Sequence, residues 1–197
     1  MGFFSKPKNP INNVSKIFLD QFPTWSVQHA TKMVAELKQH PKHETEKNCA
    51  ELIKKDQAVE KILIDCLTGA HAVYLSELPE GHQLLLGGDK KIVQAISKWS
   101  EKSKQFFMVA LTFHKRITEA GTSDIASSLE DMFGGDGKLE PMAVHIGTVI
   151  TQTIEKDLNK DLGPFFVAGL YRKIFELQQE QLDWIVNEVL EKAKKIG

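Results

Sequence analysis

Residues Ile92, Ile96, Trp99, Ser103, Phe106, Ala110, Phe113 and Ile117 follow steps of 4-3-4-3-4-3-4, with Ser103 the single polar member. Side chains at that spacing line one stripe of an α-helix; a strand, whose period is two, would scatter them over both faces. A stripe sustained for about four heptads must be buried against another element. Asp89 suits an N-cap and Gly121 the position after a helix end, so the spacing predicts a helix over 89–120. A second seam runs through Leu52, Val59, Leu63, Cys66, Ala70 and Val73 and predicts a long helix near 44–77, with Asp56 as its interruption. Between the two, SELPEGHQLLLGGD is punctuated by Pro79, Gly81, Gly87 and Gly88 and reads as a connector.

The remaining segments carry the same period. Val14, Ile17, Phe18 and Phe22 predict a helix over 11–22, and Val27, Ala30, Met33, Val34 and Leu37 predict one over 25–40. Pro23 and Thr24 separate them, with Thr24 as the cap of the second. Ser123 opens a short helix over 123–133, and Met142, Ile146, Val149, Ile150, Ile154 and Leu158 mark another over 141–160. Gly163 and Pro164 reset the chain before a final helix near 164–195. No strand pattern and no repeat period emerges. The fold class is therefore all-α: a single helical bundle of about six or seven helices, in one domain spanning 1–197.

At about 1.5 Å per residue, a helix over 164–195 is about 48 Å long, against a diameter of about 40–45 Å for a globule of this size. Its end either crosses the whole molecule or projects. Leu182, Ile185, Val186, Val189 and Leu190 form an apolar stripe there, flanked by Glu188, Glu191, Lys192, Lys194 and Lys195. One reading buries that stripe in the chain's own bundle. The functional reading makes it a seam for a second copy or a helical partner protein. The tract QQEQ at 178–181 weakens the pattern and marks the expected place for a kink.

Composition narrows the function classes. Of 25 basic residues only Arg116 and Arg172 are arginine, and the formal net charge is −1. Arginine's planar fork is the favoured reader of phosphate and guanine, so this balance argues against nucleic acid as the partner. Charge is unevenly spread, with six lysines against two acids in 1–43 and eight acids against three lysines in 124–161. Such splits read as solvated faces. Lys6 stands where a myristoylation signal after Gly2 requires Ser or Thr, and MGFFSKPKNP has no apolar signal core. No apolar run approaches the ~18 residues of a membrane span. Two isolated cysteines, Cys49 and Cys66, fit neither a disulfide framework nor a zinc knuckle. The expectation is a reduced, cytoplasmic protein without membrane contact.

Glycines beside a lysine in GGDGKLEP, residues 134–141, invite comparison with phosphate loops. A Walker loop aligned on Gly137–Lys138 would need Gly at Met132 and a hydroxyl at Leu139. A dinucleotide loop would need Gly at Glu140, and an EF-hand would need oxygen ligands at Phe133 and Gly135. All three fail, and the stretch reads as helix punctuation, with Glu140 at the positive end of the next helix. The cluster HPKHE offers His40 and His43 near Glu36 and Glu44, but straddles a helix end and reads as a polar turn. No metal site and no catalytic residue follows from these motifs: Gly-x-Ser-x-Gly and paired Glu-x-x-His are both missing.

His71, His114 and His145 each sit in a strongly apolar helix. If their helices meet, the three imidazoles could line a cofactor-binding pocket for an apolar small molecule or offer axial ligands to a tetrapyrrole. Three readings therefore stand: an interaction or assembly module using a helix face, a bundle binding such a ligand, and an enzyme whose residues converge only in space.

Overall fold

A computed structural model of the chain describes residues 10–79, 86–120 and 140–196. Within them lie α1 (Pro10–Gln39), α2 (Glu44–Lys55), α3 (Gln57–Ser76), α4 (Asp89–Ile96), α5 (Glu101–Ala120), α6 (Pro141–Leu158) and α7 (Pro164–Trp184). α7 runs on through a π-helical turn, Ile185–Leu190, into α8 (Glu191–Ile196). No strand occurs among the described residues. The segment expected as a helix over 123–133 lies outside them, as does GGDGKL at 134–139.

α3 is the centre of the bundle. From Cys66 to Leu75 every side chain is buried, because α1, α5, α6 and α7 surround it. A helix enclosed on every side along such a stretch has no solvent face to spare, and its Thr68 and His71 are buried with the rest. Gly69 allows the tightest of these contacts: a Cβ there would lie 2.5 Å from the Ser103 carbonyl oxygen and 2.9 Å from the Phe106 ring. Ser103, the polar member of the α5 seam, is explained by the same contact zone. Its hydroxyl and that of Ser100 both bond the Asp65 carboxylate, at 3.0 and 2.6 Å.

Both long seams are interrupted. At Asp56 the backbone turns extended, ending α2 and opening α3, where the carboxylate accepts the Ala58 N–H at 2.9 Å and pairs with Lys160. Between α4 and α5, Ser100 caps the second helix by accepting the Ser103 N–H at 3.1 Å. That break turns the Trp99 indole inward, where its N–H donates to the Pro23 carbonyl at 3.2 Å.

Conversely, the expected break at Pro23 does not occur, and α1 is one helix of 30 residues. Proline forfeits one backbone hydrogen bond, but aromatic side chains on both sides of it hold the helix straight through. Phe22 stacks with Phe18 at 4.7 Å and lies 5.5 Å from Trp99. Continuity also fixes the helix phase, so that Ser26 and His29 face inward while Val27, expected inside, is exposed. Two separate helices could have reset that phase; one helix cannot.

α6 begins as the sequence suggests: Glu140 caps it, accepting the Met142 and Ala143 N–H groups at 3.1 and 2.5 Å, with Pro141 in the first turn. α7 and α8 span the molecule, and the far end does not project, since Val189 and Ala193 are buried against α1. The irregularity falls at 185–190, not at QQEQ, whose Glu180 and Gln181 anchor the helix to its neighbours.

Gly69→Ala tests the central contact. Helix propensity alone favours alanine by about 1 kcal/mol, whereas forcing a methyl onto a backbone carbonyl costs about 1–3 kcal/mol. The expected outcome is a net loss of stability, read as a lower urea midpoint at unchanged m-value.

Candidate functional site

The apolar stripe of the last helix divides in two. Val189 is 0% and Ile185 9% exposed, and both belong to the core. Leu182 and Val186 are 37% and 54% exposed, and with Leu190 they line an apolar groove of about 410 Å³ whose other wall is Leu78, Pro79 and Leu86. The π turn, Ile185–Leu190, lies across this division. Leu182, Val186 and Leu190, four apart, share the outer face, while across the wider coil Val189 still reaches the interior. Phe175, 40% exposed, extends the outward face toward the start of α7.

On the inward face of the same helix, a chain of hydrogen bonds links three elements. The buried His71 ring donates Nδ1–H to the Leu67 carbonyl at 2.7 Å, so its Nε2 is left as an acceptor. His29 of α1 donates Nδ1–H to that nitrogen at 2.9 Å, and the second His29 nitrogen shares a proton with the Glu180 carboxylate of α7 at 2.6 Å. Gln181 adds a bond from its amide to the His71 carbonyl at 3.2 Å. Trp25 lies between His29, at 4.7 Å, and Trp184, at 4.4 Å, with all three rings nearly parallel. The outer end opens into a cleft of about 470 Å³ bordered by Gln28, Lys32, Asp183, Asn187 and Glu188.

His114 and His145 do meet, as α5 packs on α6: their Nδ1 atoms are 3.0 Å apart, and the Phe113 ring stands edge-on to His145. Burial, and then the neighbouring His114, lowers the His145 pKa below the usual histidine value. His71 is not part of that pair; its partner is His29, which the pattern of separate N-terminal helices hid. A single uninterrupted period from Phe22 through Ser26 to His29 and Met33 would have placed it inside. Both ring nitrogens of His71 are engaged, so in this arrangement neither is open to a metal or tetrapyrrole iron.

The HPKHE turn is held by Glu46, whose carboxylate accepts the Lys42 and His43 backbone N–H groups, and by a 2.7 Å contact between His43 and Arg172. No group of three or more candidate metal ligands converges among the described residues. Burial pushes both thiols far above the ordinary cysteine range, assisted by the Glu46 carboxylate at Cys49 and by Asp65 at Cys66. Neither is an activated nucleophile.

These features describe an all-helical bundle in which no helix among the described residues is long and apolar enough to cross a membrane. Compared with protein-family models, with curated proteins and with solved structures, the chain matches none.

His71 makes stability depend on acid. Burial, followed by the nearby His29, lowers its pKa from 6.5 to about 3. A depressed folded-state value means the contribution is complete above the unfolded pKa and is lost as pH falls from about 6.5 toward 3. Over that window His71 should add up to about 1.4 kcal/mol of lost stability per pH unit. His71→Gln should flatten the fall in urea midpoint by about one proton, leaving what His145 contributes; equal slopes would refute the assignment.

Proposed function

We propose that the protein is a non-enzymatic, cytoplasmic interaction module that binds an amphipathic helix on the outward face of α7 and its π turn. The observation that carries this reading is the groove formed by Leu182, Val186 and Leu190 with Leu78, Pro79 and Leu86. Among the described residues its lining is almost wholly apolar and holds no charged side chain. Helix-in-groove recognition uses such surfaces, with side chains of the incoming helix at i, i+3/i+4 and i+7 as anchors. A monomer gains nothing by leaving Val186 and Leu182 toward water on a helix whose other faces are so closely tied.

A second reading takes the bundle as a binder of an apolar small molecule or tetrapyrrole near His114 or His145, His71 being fully engaged. It is favoured by the His114–His145 contact, which uses both Nδ1 atoms and leaves the Nε2 atoms outside it. Added haemin should then give a Soret band that His145→Ala removes; protein that stays colourless would eliminate this reading.

The groove is tested with a displayed library of amphipathic helices selected on the protein. Binders should lose at least ten-fold in affinity on Val186→Glu; binders indifferent to that change would overturn the reading. Val186→Glu itself should alter stability by no more than about 0.5 kcal/mol, as is usual for exposed positions. Val189→Glu, which buries an unpaired charge, should cost on the order of 3 kcal/mol or more and unfold much of the protein.

A further inference from the structure

The hydrogen-bond line from Leu67 to Glu180 needs more protons than its two histidines bring to it. It has three contacts: His71 Nδ1 to the Leu67 carbonyl at 2.7 Å, His71 Nε2 to His29 Nδ1 at 2.9 Å, and His29 Nε2 to the Glu180 carboxylate at 2.6 Å. Each requires one hydrogen between its two heavy atoms. A carbonyl and an ionised carboxylate bring none, and a neutral imidazole brings one. Two neutral rings therefore fill two contacts and leave the third as acceptor against acceptor. Exchanging tautomers only moves the unfilled contact along the line. All three are made together only when a third proton is held.

The surroundings place that proton between His29 and Glu180. Their contact is the shortest of the three, as charge-assisted bonds are. The His29 ring stacks on Trp25 at 4.7 Å with the planes 10° apart, and an aromatic face favours a cation. His71 stays neutral: burial, and then the nearby His29, lowers its pKa to about 3. The cleft over the line is bordered by Glu180 and Asp183 of α7, Glu188 of the π turn and Lys32 of α1, three carboxylates against one ammonium. Lys32 pairs with Glu36, and Glu188 with Lys192 of α8. α3 adds His71, while its Asp65 is bonded by Ser100 and Ser103 and its Glu60 by Lys38. Among the described residues, α2 and α4 contribute nothing to the cleft's lining.

We infer that His71, His29 and Glu180 form a proton-dependent latch that ties α7 to α1 and α3. With the third proton held, the latch is closed. Without it, the His29 Nε2 lone pair faces the Glu180 carboxylate, and the two repel. The latch then opens at Glu180, because that side chain is 44% exposed and His29 only 7%. The carboxylate turns into the cleft and is solvated there, while His29 and His71 keep their mutual bond. The latch lies on the inward face of α7 and works regardless of what covers the outward one.

Glu180→Gln separates the bond from the proton. A glutamine amide donates to a neutral His29 Nε2 and its oxygen accepts from a protonated one, so the variant keeps the contact in either state. Ring-nitrogen NMR of the full chain at about pH 5.5, below the ordinary histidine value, should show two protonated nitrogens on His29 and one on His71. Titration with alkali should remove one proton from the His29 ring. In the same step, protection of the α7 amides against hydrogen exchange, corrected for the intrinsic rate, should fall about ten-fold, the loss of one charge-assisted bond. Glu180→Gln should abolish that fall. A single protonated nitrogen on His29 at the acid end overturns the latch, as does a fall in protection equally large in Glu180→Gln. The ring spectrum of the unaltered protein carries the test should the variant fold poorly.

Discussion

The complete burial of α3 is the constraint on which the rest of the bundle depends. A helix enclosed on every side must satisfy each polar group it carries without water, and must let its neighbours approach to the distance their side chains dictate. Gly69 meets the second demand by admitting the α5 backbone at Ser103. His71 meets the first only by drawing in His29 from α1 and, through it, Glu180 from α7. Three helices are thereby fixed relative to one another by one line of hydrogen bonds. Their rotation about their own axes is fixed too, since each contributes a side chain that must point at the line.

The outward face of α7 follows from that inward one. With Glu180, Gln181 and Trp184 committed to α1 and α3, the helix cannot roll to bury Phe175, Leu182 and Val186. An apolar strip on a freely rotating surface helix would be absorbed into the core. Here the polar anchors forbid it, so the strip remains a surface whose apolar character needs another explanation than packing within the chain.

Much of the architecture was legible because heptad periodicity reports directly on which face is buried. The buried face of the seam from Ile92 to Ala110 and of the α6 stripe, and the Glu140 cap, stand where their residues implied, although the one helix expected over 89–120 is broken between Ile96 and Glu101. What periodicity could not supply was tertiary override of a local rule. Pro23 is a helix breaker in isolation, but here α1 continues through it amid the packed rings of Phe18, Phe22, Trp25, Trp99 and Trp184. Misplacing that one boundary shifted the phase of the following turns, exchanged Val27 for Ser26 and concealed His29. The histidine pairs lay beyond reach for a related reason: His114 and His145 are 31 residues apart and His29 and His71 are 42, and spacing along one chain says nothing about which helices become neighbours. The outward seam of α7 was half visible, because a stripe of five apolar residues does not reveal that two of them turn inward.

The π turn lies across that division. In an unbroken α-helix, residues four apart drift by about 40° per step, so Leu182, Val186 and Leu190 share one face with or without the π turn. Trp184 must stack on Trp25 while Val189 and Ala193 must reach α1, two demands that one α-helical phase does not meet together. The wider coil of the π turn, Ile185–Leu190, reconciles them. π turns are weaker than α-helix and persist where the surroundings impose them. In this chain the imposition comes from the core, where Trp184, Val189 and Ala193 are all buried on one length of helix that also carries the exposed Leu182 and Val186.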